Sequence, residues 1–455
     1  MSLHFKDTFS TLQDRFQQSH FLKSVLTLSA GMVISQAVAL LTTPIISRIY
    51  GPDILGDFSI ITSNVTIWGV IVCLGLIPAI MVPQDDDEAK GICRLLAKGI
   101  LFLSFSLFVV LVALSGIKQL FSVSINYQVA CAALCVYLIL NSLSSVCYSY
   151  VNRQKLYKVL FWNPSIGTIS NAIICILLGL LGCGLWGYIV GAVSSSLFLI
   201  IHMLWHTNPF VGTISKDYSP IRLLKKHKVF PLVLLPSTFL GTAAHQVPIQ
   251  MLSRYWGSFT LGSYSMCLTI LGLPTKFLAG PVNRVFYREA TERANNGQDV
   301  GEFSFRILKA NVKIAIVPIV ILIIFGAPLF SFVLGEKWYV AGSYASALGV
   351  YQALAFCNSC LSGKFIVINK KKTILFLNII ALLLYSITFL ICHELDFSSM
   401  QTIMVYAIIA ALFEMGDTLL FCIQAKVSVL DYAKFLSFYI VFPVALATMI
   451  RCSFL

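Results

Sequence analysis

From Val25 to Gln424 the sequence is a succession of apolar runs joined by short polar stretches. Each run is long enough to cross a hydrocarbon layer about 30 Å thick, and this feature decides the fold class. Lipid offers backbone amides no partners, so a spanning run of this kind closes its own hydrogen bonds as a helix. We read spans near 25–47, 58–83, 97–117, 127–150, 162–182, 187–206, 229–252, 262–283, 312–334, 341–366, 374–392 and 400–423. No joint between them is long enough to fold as a separate soluble domain. Composition agrees, with 58% hydrophobic and 11% charged residues, against roughly 25% charged in soluble domains. The expected fold is an all-α integral membrane protein of about 12 transmembrane helices. A possible thirteenth helix follows in "KFLSFYIVFPVALATMIR", which is marginal in length and carries a central proline.

A formal charge of +13 would suit a nucleic-acid binder, but its placement argues against nucleic acid. With the N-terminus cytoplasmic, 26 of the 32 Lys and Arg residues fall in segments on that side. They stand before the first span, around Arg94, in "NRQKLYK", in Lys216–Lys228, from Arg284 to Lys313, from Lys364 to Lys372, and after the twelfth span. Arg48, Lys118, Arg254 and Lys337 fall outside. This asymmetry is the positive-inside rule, so the basic residues mostly report topology. Residues 1–24 place Phe5, Phe9, Leu12 and Phe16 at helical spacing, which reads as an amphipathic segment on the cytoplasmic membrane surface, or as a disordered tail. They lack the uninterrupted apolar core and cleavage site of a signal peptide. The 13 cysteines are mostly scattered through spans. Cys357 and Cys360 form a CxxC inside a span without a second pair, so no metal or redox role is expected.

The chain nearly repeats itself. "SRIYGPDILGDFS" from Ser47 returns as "SRYWGSFTLGSYS" from Ser253, and each copy follows an apolar run containing a proline. "NRQK" at Asn152 returns as "NKKK" at Asn369. Six spans separate the long copies, an even number, so both lie on the outer side. Two parallel six-helix lobes follow, related by an axis along the membrane normal. The expected division is a cytoplasmic segment 1–24, an N-terminal lobe 25–206, a basic linker 207–228, a C-terminal lobe 229–425 and a tail or extra helix 426–455. The linker's "RLLKKHK" faces anionic lipid or simply anchors the topology.

Charges inside spans are costly and therefore informative. Lys276, in "LGLPTKFLAGPVNR", lies eight residues before Arg284, about 12 Å deep at 1.5 Å per residue. Pro274 and Pro281 flank it and free carbonyls that can line a cavity. Lys276 either receives an anionic group there or snorkels to the surface. Glu414 and Asp417 share one face of the twelfth span. They are candidates for binding H+ or Na+, or for an ion pair with Lys276. His245, beside Pro248, either titrates near neutral pH or serves as a hydrogen-bonded structural histidine. Arg48 and Arg254, at matched places in the repeat, either flank an outer vestibule or cap helix ends. Asn141, Ser142, Ser144, Ser145 and Ser194 to Ser196 offer polar walls or small-residue packing. The N-terminal half has no carboxylate deep in a span, since Asp57 sits at the edge of the second. Walker A, HExxH and GxSxG patterns are absent.

"LTLSAGMVISQAVALLTTPIISRIYGPDILGDFSII" resembles the opening of the bacterial polysaccharide exporters, flippases of lipid-linked O-antigen and capsule repeat units. "GLWGYIVGAVSS", "LGSYSMCLTILGLPTKFLAGPVNRVFYREA" and "LFSFVLGEKWYVAGSYASAL" are similar to later parts of that family, and the likeness runs from Val25 to Gln424. The resemblance implies the multidrug/oligosaccharidyl-lipid/polysaccharide exporter superfamily, with two lobes around a central cavity that opens alternately to either side. It implies an oligosaccharide on a polyprenyl pyrophosphate as substrate, carried from the cytoplasmic to the periplasmic leaflet of the inner membrane. Lys276, Arg48 and Arg254, with His245, would meet it, and Glu414 and Asp417 would couple an ion. No enzyme chemistry and no cofactor are expected. Membrane lipids, and the polymerase and chain-length regulator of the same pathway, are the expected partners. The alternatives are a cation-coupled drug or metabolite antiporter of the same fold, an assembly enzyme, and a non-transporting component of a glycan-assembly complex. An antiporter of cationic amphiphiles would call for N-lobe carboxylates; an assembly enzyme would call for a large outer loop.

Overall fold

A computed structural model describes residues 30–115, 123–211 and 218–454, so the amphipathic segment 1–24 lies outside the described residues. Among those described there is no strand. The first lobe holds α1 (Ala30–Ile49), α2 (Pro52–Val72), α3 (Asp86–Leu114), α4 (Tyr127–Arg153), α5 (Tyr157–Leu180) and α6 (Leu185–His206). A short linker helix α7 (Pro220–Lys226) follows. The second lobe holds α8 (Leu235–Leu271), α9 (Gly280–Asn295), α10 (Val300–Leu334), α11 (Tyr339–Cys360), α12 (Lys364–Val367), α13 (Lys371–Glu394) and α14 (Ser399–Gln424). The chain ends in α15 (Val429–Leu436) and α16 (Phe442–Phe454).

Twelve helices among the described residues are long and apolar enough to cross a membrane. One of them, Phe230–Leu271, is 42 residues long and contains the break that makes two spans of it. Gly257 leaves helical geometry with φ 83° and ψ 176°, a conformation that glycine adopts without a Cβ penalty. The limb before Gly257 crosses in one direction and the limb after it returns. The segment Val429–Arg451 is also long and apolar enough to cross, and α16 packs against α10.

Local sequence sets the helix starts. Asp85 caps α3 by accepting from the Asp87 amide, and Asp86, Asp87 and Glu88 load its first turn, where carboxylates suit the helix dipole. Asp299 caps α10, and Ser398 with Gln401 forms a capping box on α14. These caps start α3 and α10 well before the spans read from hydropathy. At 29 and 35 residues both helices outrun the hydrocarbon layer, so Lys90, Arg94, Lys98, Arg306, Lys309 and Lys313 stand on helices and not in loops.

The two copies of the repeat meet face to face. A Cβ at Gly56 would collide with the Ser258 carbonyl, and one at Gly262 would collide with the Pro52 carbonyl. The two contacts are the same contact, exchanged between copies. Asp57, only 3% exposed, accepts from the Ser258 hydroxyl and, at 2.8 Å, from the Ser124 amide. One paired position of the repeat, Tyr50 and Trp256, ties each copy to its own lobe. The Tyr50 hydroxyl donates to the Cys175 carbonyl at 2.7 Å, and Trp256 Nε1 donates to the Phe397 carbonyl at 3.0 Å. Both lobes also end a turn in the left-handed region, at Lys155 (φ 56°) and Asn369 (φ 59°), but these residues are the last letter of "NRQK" and the first of "NKKK", so the structural register runs out of step with that echo.

Candidate functional site

From the interlobe contact, helix periodicity carries one face of α8 toward the basic end of the molecule. Residues seven apart keep nearly one face, drifting about 20° per heptad. The stripe that touches α2 at Gly262 therefore runs to Thr269, and Lys276 follows beyond the end of α8. Gly262 is buried, whereas Thr269 and Lys276 are exposed. The facing stripe on α2 behaves alike: Gly56, Ser59 and Ser63 are buried and Thr66 is exposed. The lobes thus touch through glycines and serines at one end and leave polar walls uncovered further along. Just after Pro274 the backbone forms a π-turn, Thr275–Ala279, a local widening common at functional sites. Lys276 lies in it, and its ammonium makes no hydrogen bond or ion pair among the described residues.

A second polar site lies within the C-terminal lobe. A cavity of about 280 Å³ opens between the first limb of α8 and helices α11, α13 and α14, lined by His245, Asn358, Lys364, Asn378, Glu414 and Asp417, among others. Lys364 Nζ lies 2.8 Å from Asp417 Oδ2 and donates to Asn358 Oδ1 at 2.7 Å. Asn358 Nδ2 donates to Glu414 Oε2, and Thr418 donates to Asn358 Oδ1 at 2.8 Å. Asn358 therefore links Glu414 to Lys364, which in turn pairs with Asp417. The Lys364 side chain is 3% exposed, a burial tolerated because both a charge and an amide face it. Fully ionised, the trio carries one net negative charge.

The fold puts Lys364 there by breaking a helix. α11 stops at Cys360, three residues turn, and α12 starts at Lys364. Gly363 in that turn lies against the Tyr287 ring, where any Cβ would collide. The glycine permits the close approach, and the lysine next to it is drawn inward.

Several sequence expectations change. Glu414 and Asp417 do share a site, but their cation is Lys364 and not Lys276. The count of basic residues had placed Lys364 among the cytoplasmic topology charges. The missed signal was its position inside the span read as 341–366, six residues ahead of the Lys370–Lys372 cluster. His245 is exposed to the C-lobe cavity and makes no side-chain hydrogen bond among the described residues, so it is not a hydrogen-bonded structural histidine. Arg48 and Arg254 stand exposed at the end where the lobes touch, and interlocked backbone lies between the repeats in place of an open vestibule. Arg254 rests 5.9 Å from the Tyr255 ring. Ser195 ties α6 to the Gly167 carbonyl at 2.9 Å, and Ser142 and Ser196 are buried, so these three pack helices. Cys357 and Cys360 are buried free thiols.

The comparisons with known proteins follow this geometry. A family profile described as "Polysaccharide biosynthesis protein" matches residues 45–342. The chain belongs to that family. No curated protein sequence matches it. Among solved structures, the lipid II flippase MurJ in an inward closed conformation superposes with a TM-score of 0.65 at 14% identity, covering 94% of this chain and 98% of that one. A MOP superfamily transporter from Pyrococcus furiosus gives 0.58 at 14%, covering 91% and 96%. An outward-facing multidrug resistance MATE family transporter gives 0.54 at 14%, covering 91% and 96%. At such identities the likeness is one of fold. The protein is a multi-pass membrane protein of a polysaccharide biosynthesis family with the fold of these transporters.

Proposed function

We propose that the protein is a flippase that moves polyprenyl-pyrophosphate-linked oligosaccharide repeat units, of O-antigen or capsule type, from the cytoplasmic to the periplasmic leaflet of a bacterial inner membrane. Its N-terminus is cytoplasmic, and it works by alternating access. The observation that carries this reading is Lys276, an unpaired cation just beyond the α8 stripe that leads away from the interlobe contact. A pyrophosphate needs such a partner, and the sugars need the hydroxyl-bearing walls around Thr66 and Thr269. Membership of a polysaccharide biosynthesis family and the fold shared with a lipid II flippase point the same way. The polymerase and chain-length regulator that would use the flipped unit are the expected protein partners.

Coupling belongs to the Lys364–Asn358–Glu414–Asp417 network. The Lys364 ammonium already stands where a metal cation would sit between the carboxylates, so the ion we assign is H+ and not Na+. Uptake of one proton neutralises the site, and its loss leaves one uncompensated charge in a buried lobe. The same carboxylates favour an antiporter as the second reading, which the apolar interior of the N-lobe opposes.

The test is flipping in proteoliposomes loaded with the host's lipid-linked repeat unit, read by a membrane-impermeant reagent. Protein-dependent movement that is absent with an unrelated lipid-linked sugar is the expected result. No movement, with or without a pH gradient, would sink the flippase reading. Movement faster in a Na+ gradient than in a pH gradient would reassign the ion.

A further inference from the structure

The linker sequence "RLLKKHK" divides its cations between two jobs. Lys226 and His227 turn toward α3 and donate to the Glu88 carboxylate at 2.8 and 2.9 Å, and Glu88 is 4% exposed. Leu223 closes over Gly91 of α3. Tyr218 donates to Asp85 beside them, which holds that carboxyl below its usual range. The linker helix α7 is thus clamped to the N-terminal lobe. Lys225 and Lys228 are exposed, and neither ammonium has a hydrogen bond or ion pair among the described residues.

Both lysines border an open groove of about 500 Å³. Its other walls are Leu95 of α3, Pro220, Ile221 and Leu224 on α7, and Pro231 and Leu232 at the foot of α8. Ile221 is 70% exposed and Leu232 is 69% exposed, an open apolar surface that water would leave unfavourably solvated. The groove lies at the level of a membrane interface. Leu95 is seven residues along α3 from the charged Glu88, about 10 Å inward, while Lys225 and Lys228 stand at the polar rim. An apolar slot at that depth, with two uncompensated ammonium groups over its mouth, has the shape and charge of a lipid site.

We propose that the groove holds an acyl chain of an anionic glycerophospholipid, with its phosphate between Lys225 and Lys228. The bound lipid touches α7, which belongs to the N-terminal lobe through the Glu88 clamp, and the foot of α8, which belongs to the C-terminal lobe. Occupancy therefore favours conformations that keep these two elements together. The inference rests on the chain spanning a membrane and stands apart from the flippase reading, because lipid binding is measured with no transport substrate present.

Native mass spectrometry of the full chain in detergent, titrated with phosphatidylglycerol or phosphatidylcholine, tests it. Phosphatidylglycerol should bind roughly 25-fold more tightly, since each of the two lysines near an anionic headgroup contributes on the order of a fivefold preference. K225A/K228A should abolish the preference and K225R/K228R should keep it, with melting temperatures in detergent unchanged for both. Ile221→Trp, which fills the slot and leaves the lysines in place, should weaken both lipids. Equal binding of the two lipids to the unmodified chain would overturn the proposal, as would a preference that survives K225A/K228A. Displacement of phosphatidylglycerol by a polyprenyl phosphate at a lower concentration than phosphatidylglycerol itself requires would overturn it too, by giving the site to an isoprenoid.

Discussion

The two lobes share a plan but not an interior. Counted from the helix starts, Glu414 and Asp417 stand where Ile200 and Met203 stand, fifteen and eighteen residues into α14 and α6 respectively. In the register of those helix starts, Lys364 corresponds to Tyr150, and Asn358 corresponds to Ser144. In the N-terminal lobe Ile200 and Met203 pack together in one apolar cluster with Cys147, Val151, Val159 and Leu160. In the C-terminal lobe Lys364, Asp417 and Glu414 form a buried ion pair and a second carboxylate beside an open cavity. At that address the N-terminal lobe holds an apolar cluster. The other places titratable charge at the same address, and a buried charge is retained only at a cost in stability.

Exchanging the interiors gives the largest expected effect. Lys364→Met leaves Asp417 and Glu414 facing no cation, and stability to unfolding in detergent should fall by about 3–5 kcal/mol. Installing an apolar set, Lys364→Met with Glu414→Ile and Asp417→Met, should recover most of that loss while removing any dependence of flipping on a pH gradient. A triple variant no more stable than Lys364→Met would break the comparison. The reverse exchange, Met203→Asp alone, buries an unpaired carboxylate in an apolar cluster and should cost several kcal/mol, as read by the shift in denaturation midpoint. If it proves harmless, the N-lobe cluster is wetter than its packing implies.

Smaller effects sharpen the contrast between the closed and open ends of the interlobe seam. Gly262→Leu forces the repeats apart and should cut flipping more than tenfold, while making the buried Ser258 neighbourhood accessible to thiol labelling in a Ser258→Cys background. At the open end, Lys276→Gln should lower flipping roughly tenfold and Lys276→Arg less than threefold, with thermal stability unchanged. Equal losses from both would return Lys276 to the snorkelling role. Smallest of all, Trp256→Phe removes one hydrogen bond to the Phe397 carbonyl and should cost about 1 kcal/mol of stability.

The fold was legible because lipid leaves so few choices: a run of apolar residues of spanning length has one way to satisfy its amides. The doubled plan was legible because Gly56 and Gly262 sit where backbones touch and no side chain fits. Span edges were less legible, since Asp85 and Asp299 cap helices that run past the hydrocarbon layer. Glu414 and Asp417 announced a site through their depth, but their partner did not. Lys364 reaches them where α11 breaks after Cys360 and the chain turns past a glycine pressed on Tyr287, a tertiary event that periodicity does not encode. The position of Lys276 was readable as depth, and its place beyond the end of the stripe became readable only once Gly262 was known to touch the other lobe.

The meeting of Gly56 with Ser258, and of Gly262 with Pro52, has a consequence for how the halves recognise each other. The same patch binds itself in opposite sense, which is the isologous rule of a two-fold dimer, here obeyed within one polypeptide. Such a surface needs no covalent tether to define its geometry. Two half-chains severed within 212–217 should still pair through this seam, the linker adding proximity where the seam already supplies register.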